Sequence, residues 1–386
     1  MATSGQTILV LGGGVGGLVT ANELRKRLGN EHRVVLVDQQ GKHIFWPSLL
    51  WLQVGLREPE SIARDLALLE KKGIEVVVGQ VEAIDPARKS VTVAGKQLQA
   101  DYLVVSLGAV LAPQLVPGLA EAGHNLYTVE GATAIRNARL NFRNGSLVVL
   151  VAKMPFKCPP APCEAAMLLE YDLRKRKVRD QVTVSLYTPE PGPMPVAGPV
   201  VSAGVKQMVE DRGISYYPQH QVAEVDGAKK ALRFANGAEA TYDFLVYIPP
   251  HVAPPVVKDA GLVGESGWAK VDRFTMETSF PGVYAIGDVT GILLPFGLPL
   301  PKAGVFARHQ GEAVAQTIAA AILGQGKPGA FDGHGECFIE VGGGKAGFGR
   351  GNFYAEPRPE VKLYQPGRHW HAGKVLFEKD WLRRWF

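Results

Sequence analysis

Two sets of residues in this chain have types and spacings that can do chemistry. The first is Gly12-Gly13-Gly14-Val15-Gly16-Gly17, where Gly12, Gly14 and Gly17 make a G-x-G-x-x-G run and Asp38 follows 21 residues beyond Gly17. Glycines there permit a tight turn and close approach of backbone to a pyrophosphate. The N-terminus of the following helix offers amide donors, and an acidic side chain ending the next strand accepts from ribose hydroxyls. A turn-forming glycine run with a solvated aspartate has the same letters, so the run is read in context. The second set is Cys158-Pro159-Pro160-Ala161-Pro162-Cys163-Glu164, with a third cysteine, Cys337, far downstream. Thiolates are nucleophiles and redox groups, and a carboxylate at Glu164 can take a proton. The plainer alternatives stay open: a cysteine is often a small buried apolar residue, and Glu164 can simply complement the dipole of the helix it begins.

Positioning these residues requires a particular order of elements. The apolar run 7–11 leads into the glycines, Leu18, Ala21, Leu24 and Leu28 recur at helical spacing, and 33–37 is a second apolar run closed by Asp38. Strand, helix and strand within about 30 residues is the signature of a parallel sheet. Short strands are expected at 74–78, 81–84, 90–93 and 97–98, and a buried strand at 101–106 that ends at Leu107-Gly108-Ala109. A second unit of the same kind follows, with strands at 146–151, 181–187 and 242–248 and helices at 162–177 and 200–212. From Gly282 the chain returns to strand and loop, then to an apolar helix over 304–323. The expected fold is α/β, with two Rossmann-like dinucleotide-binding domains, the second nested in the first, plus a C-terminal region. The boundaries read from the sequence are 1–110 and 256–325 for the first domain, 111–255 for the second and 326–386 for the remainder.

Bulk properties exclude several classes. A chain of 386 residues with 46% hydrophobic and 20% charged residues is composed like an ordinary globular protein, not a disordered one. A net charge of +5 spread over this length, without a basic stripe interleaved with aromatics, does not indicate nucleic acid. Three cysteines are too few for a disulfide scaffold, and no spacing suggests a metal site. No apolar run is long enough to span a bilayer, and the polar start running straight into the first strand does not read as a signal peptide.

Distant motifs supply the family. Gly282-Val283-Tyr284-Ala285-Ile286-Gly287-Asp288-Val289 resembles the second FAD motif of the two-dinucleotide-binding-domain flavoproteins, and 101–109 resembles their strand-to-glycine linker. That resemblance implies FAD as cofactor, with Gly108 and Gly287 allowing close backbone approach and Asp288 meeting the ribityl–pyrophosphate region. The stretch Phe45-Trp46-Pro47-Ser48-Leu49 is similar to the F-x-P-x-L segment of quinone-reducing relatives, which places Pro47 near the flavin ring. Pro301-Lys302-Ala303-Gly304 is similar to their P-K-x-G motif, and implies Lys302 at the N1–C2=O edge of the flavin unless it is a solvated lysine. Where NADH-using members carry a second glycine loop, residues 152–164 here hold no glycine and four prolines. Prolines remove amide donors, the reverse of a pyrophosphate cradle.

The cysteine run resembles the sulfide:quinone oxidoreductases and the flavoprotein sulfide dehydrogenases in particular. Cys158, Glu164 and Cys337 match their positions, and the resemblance implies that Cys158 and Cys337 pair beside the flavin. A bridge between them would present an electrophilic sulfur to hydrosulfide, or to a persulfide. A local Cys158–Cys163 bridge is the competing arrangement, and Lys157 is a candidate for poising the thiolate. Many family members hold FAD covalently through a further cysteine, and 118–137 contains none. The acceptor implied is membrane quinone, with cytochrome c or a type II NADH:quinone reductase activity as alternatives. Residues 374–386, with Phe377, Trp381, Trp385 and Phe386 among Lys379, Arg383 and Arg384, read either as a basic amphipathic membrane helix or as a helix packed on the domain. The expectation is a peripheral membrane protein, with a homo-oligomer left open, and with Phe338, Phe348, Phe353 and Tyr354 as candidate quinone contacts.

Overall fold

The computed structural model describes residues 5–386. The first sheet is all parallel, in the order Val283–Ala285, Tyr102–Val105, Thr7–Leu11, Arg33–Asp38, Glu75–Val78. Its central strands are buried on both sides, as a continuous Val/Ile/Leu run requires of a covered parallel sheet. Ile8 and Val10 pack toward the helices Val15–Arg27 and Gly304–Leu323. Leu9, Leu11, Val35 and Val37 pack on the other side, against an antiparallel meander of Val81–Asp85, Ser90–Val93 and Lys96–Gln99.

The second sheet repeats the plan in the order His124–Asn125, Phe244–Ile248, Gly145–Val151, Val182–Tyr187, Ser215–Tyr217, again parallel. The antiparallel pair Val110–Leu111 and His251–Val252 sits where the chain leaves the first sheet and where it comes back. The helix Ala161–Lys175 packs on the second sheet; its 15 residues hold no glycine, and basic Arg174 and Lys175 end it favourably for its dipole. Two nested doubly wound units are therefore what the chain forms.

The C-terminal region is more ordered than its sequence suggests. Three antiparallel strands, His334–Gly342, Lys345–Asn352 and Glu360–Gly367, lead into the helix Arg368–Arg384. The glycines that hide these strands from a period-two pattern are where neighbours approach closely. A Cβ on Gly335 would stand 2.5 Å from the Phe306 ring, and one on Gly342 would stand 2.6 Å from Tyr171. No helix among the described residues is long and apolar enough to cross a membrane.

Candidate active site

A cavity of about 1330 Å³ runs from the glycine loop to the C-terminal sheet. At one end lie Gly12, Gly13, Gly14 and Asp38. Gly12 has φ +100°, and a Cβ there would strike the Ser106 carbonyl at 2.3 Å. A Cβ on Gly17 would strike the Gly12 carbonyl at 1.9 Å, so Gly17 serves helix-on-strand packing and does not line the cavity. At Gly14 nothing lies within 4 Å, which leaves room for a phosphate in front of a helix N-terminus that no side chain caps. Asp38 accepts from Gly13 N at 2.8 Å and from Gln40 and Gly41 N at 2.9 Å, so it braces the loop while facing the cavity.

The middle of the cavity is lined by Pro47, Gly108, Gly287, Asp288 and Lys302. Gly108 (φ +67°) has open space in front of it. Oδ1 of Asp288 is buried without a hydrogen-bond partner, and burial raises its carboxyl pKa. An orphaned acceptor at this point, beside open glycines, fits the ribityl hydroxyls of FAD. Lys302 is 7% exposed, and burial pulls its pKa down to about 8. Its ammonium donates to the carbonyl oxygens of Asp288 (2.7 Å) and Thr290 (2.9 Å) and stands over the Trp268 ring at 3.3 Å. Its charge is thus turned to this loop rather than out into the cavity, and its backbone carbonyl accepts from Cys158 N at 2.7 Å.

At the far end Cys158 and Cys337 open into the same cavity, both as free thiols. Cys158 adopts φ +55°, rare for a residue with a side chain. It is held there by its bond to Lys302 O and by Ala161 N, which donates to Cys158 O at 2.9 Å. Cys337 comes from the strand His334–Gly342, directly opposite Gly349. Burial pushes both thiols up, Cys337 to about 12, and the negative charge of Glu164 adds to the effect on each. Cys337 itself also raises Cys158, which places the two within electrostatic reach. Cys163 takes the plain reading: it is 3% exposed, inside the core, with Glu190 and Glu164 its charged neighbours.

Glu164 is 1% exposed, and burial raises its pKa. It accepts from Glu340 N at 2.8 Å and from Lys374 Nζ at 3.2 Å. Lys374, which the sequence did not single out as a neighbour of the cysteines, lines the same cavity. Burial alone would lower its pKa, but Glu164, Glu340 and Cys337 together raise it, so the ammonium is firmly charged. It lowers the pKa of both cysteines, against the effect of burial. Lys157, the sequence candidate for that task, rests its ammonium over the Trp46 ring at 4.7 Å.

Of the two readings of the C-terminal helix, its tryptophans take the packed one. Trp381 and Trp385 are 3% and 2% exposed and pack on the first domain, so they are not available as membrane anchors. Trp381 Nε1 donates to His43 Nε2 at 3.0 Å. The proposed aromatic pocket also divides. Phe338 and Phe348 line the cavity with Phe377, whereas Phe353 and Tyr354 pack inward on Phe306 and Phe331.

Fold and cavity together define a two-domain FAD flavoprotein. The profile of the pyridine nucleotide-disulphide oxidoreductases matches residues 6–316, and the chain belongs to that family. It is 30% identical over 396 residues to a sulfide-quinone reductase of Aquifex aeolicus, covering 97% of this chain and 90% of that protein. It is 25% identical over 369 residues to a mitochondrial sulfide:quinone oxidoreductase of Mus musculus, covering 91% and 79%. Among solved structures, the sulfide:quinone oxidoreductase from Aquifex aeolicus superposes with a TM-score of 0.89 at 27% identity, covering 98% of this chain and 91% of the other.

Proposed function

We propose that this chain oxidises sulfide, or an organic persulfide, at Cys158 and Cys337 and passes the electrons to quinone. The observation that carries the reading is the shared cavity. Two cysteines far apart in sequence, one from the second Rossmann unit and one from the C-terminal sheet, open into the space that begins at the dinucleotide loop, with Glu164 and Lys374 in the same wall. When the pair is bridged, hydrosulfide attacks one sulfur and the S–S bond breaks, leaving a persulfide on one cysteine and a thiolate on the other. Joining those two ends makes a bridge one sulfur longer and releases one proton and one electron pair. Bound FAD supplies the two-electron acceptor that connects this pair to quinone. Glu164 takes the proton, and Lys374 balances the anion that attack creates. The walls beyond Cys337, Phe338, Phe348 and Phe377, suit a flat apolar acceptor better than a protein one.

Nicotinamide is disfavoured by the proline-rich turn after Gly145–Val151, and residues 182–250 contribute nothing to the cavity. Anaerobic addition of sulfide and of NADH to separate samples tests the reading: sulfide should bleach the oxidised flavin and NADH should not. Bleaching by NADH alone sinks it. Cys158→Ser and Cys337→Ser should each abolish reduction by sulfide while FAD stays bound.

A quinone drawn from a bilayer needs the enzyme at the membrane. The outer face of the C-terminal helix offers Leu376 (66% exposed), next to Phe377 at the cavity wall, among exposed Arg368, Lys379, Arg383 and Arg384, with Asp380 the one exposed acid, paired to Arg383. Apolar residues set among cations suit an anionic headgroup layer. This face, not the buried tryptophans, is the membrane-contacting surface in our reading.

A further inference from the structure

Behind the cysteine wall lies a line of titratable groups that the cavity does not include. Glu164 and Lys374 line the cavity; Glu340 and His371 do not. Glu340 sits on the same strand as Cys337 and is 1% exposed. Its N–H donates to Glu164, and its own carboxylate meets Nδ1 of His371 with both oxygens at 3.0 Å. The His371 side chain is 28% exposed and opens to solvent, one helical turn before Lys374. Its ring stands edge-on to Trp51 at 5.8 Å, and the cations of Arg57 and Lys374 lie over that tryptophan. The charged groups around His371 are thus Glu340 from the strand, Glu164 from the helix Ala161–Lys175, Lys374 and Glu378 from its own helix, and Arg57 bound to Glu378.

Two fully buried carboxylates with one ammonium are a costly arrangement for stability alone. Sulfide oxidation gives them a use, because each bridge closure frees a proton at a wall whose other side is aromatic. We propose that Glu340 and His371 are the proton port of the cysteine site, linking Glu164 and Lys374 to solvent. This rests on the sulfide-oxidising reading above. The persulfide proton passes to Glu164 and from there to Glu340, while Lys374 stays charged beside both carboxylates. Glu340 hands its proton to Nδ1 of His371 as Nε2 releases one to water, and the ring returns to its first tautomer by exchange with solvent. One proton leaves per closure, and no electrons move along this path.

The test is the rate of sulfide-driven flavin reduction in the FAD-loaded full chain, with and without added imidazole. His371→Ala should slow reduction by about 10²-fold, the scale of a lost acid–base group, and imidazole should restore much of it in a saturable way. His371→Gln keeps a hydrogen bond to Glu340 but cannot relay, and should be as slow with FAD content intact. Glu340→Gln should be slow and unresponsive to imidazole. His369→Ala, exposed on the same helix, should match the unaltered protein. If His371→Ala and His371→Gln react at the unaltered rate, or are slow but indifferent to imidazole, the port is wrong while the cysteine chemistry stands. If sulfide does not reduce the flavin of the unaltered protein, the functional reading fails and takes the port with it.

Discussion

The two thiols are poor nucleophiles as they stand, because burial holds both well above the usual cysteine range. That suits a mechanism in which the attacking anion is the substrate and the protein supplies the electrophile, and it makes the released thiolate an energetic electron donor. Lys374 tempers that anion. Lys374→Met should leave Glu164 buried without its cation and cost about 3–5 kcal/mol in a denaturant titration. Adding Glu164→Gln should recover most of the stability but none of the sulfide-driven reduction. A double variant that regained the rate would remove both residues from the chemistry. Cys163→Ala should leave the rate unchanged, since that thiol lies in the core with Glu190. Loss of reduction would revive the local Cys158–Cys163 bridge. Cys158, Glu164 and Cys337 were legible because their neighbours in sequence make a pattern. Lys374 was not, since its meaning comes from a partner 210 residues away.

The C-terminal helix shows the same limit for an element. Its tryptophan spacing was plain, but spacing alone does not say whether protein or lipid covers the apolar stripe. The structure answers with His43: its Nδ1 bonds the Gly13 carbonyl at 2.9 Å and its Nε2 accepts from Trp381. The helix is thereby tied to the dinucleotide loop, and the ring must be neutral to keep both bonds. Burial accordingly lowers the His43 pKa from 6.5 to about 4. The unfolded chain takes up a proton near pH 6.5 and the folded one only near 4. This contribution is therefore whole above pH 6.5, shrinks as pH falls from 6.5 to 4, and is gone below 4. It amounts to about 3 kcal/mol. Denaturant midpoints across that window should drop in the unaltered protein and drop less in His43→Gln. Parallel slopes would mean another group dominates. Trp381→Phe should weaken FAD retention on a desalting column, and unchanged retention would show the tie to be idle.

For the whole molecule, the nested fold was readable because apolar strands, glycine turns and helices recur in two matched series, and the helix Gly304–Leu323 falls where the periodicity placed it. The three-stranded C-terminal sheet was not, because its glycines erase the alternation that marks a strand. That hidden sheet delivers Cys337 and Glu340, and the helix after it delivers Lys374 and His371, so the last 60 residues complete a site that the two Rossmann units only frame. They also decide where the molecule meets its surroundings. Trp381 and Trp385 are buried in the interior, which leaves Leu376 as the apolar residue facing out among cations, next to Phe377 at the cavity wall. Leu376→Glu should therefore reduce binding to anionic vesicles in a flotation assay, and should slow turnover with a vesicle-borne quinone. Anaerobic bleaching by sulfide in solution should be unchanged, because Leu376 does not line the cavity. Raising salt should weaken vesicle binding of the unaltered protein as exposed cations are screened. Undiminished flotation of the Leu376 variant would move the membrane face elsewhere on the molecule, and binding indifferent to both the substitution and salt would mean that quinone reaches the cavity without a docked surface.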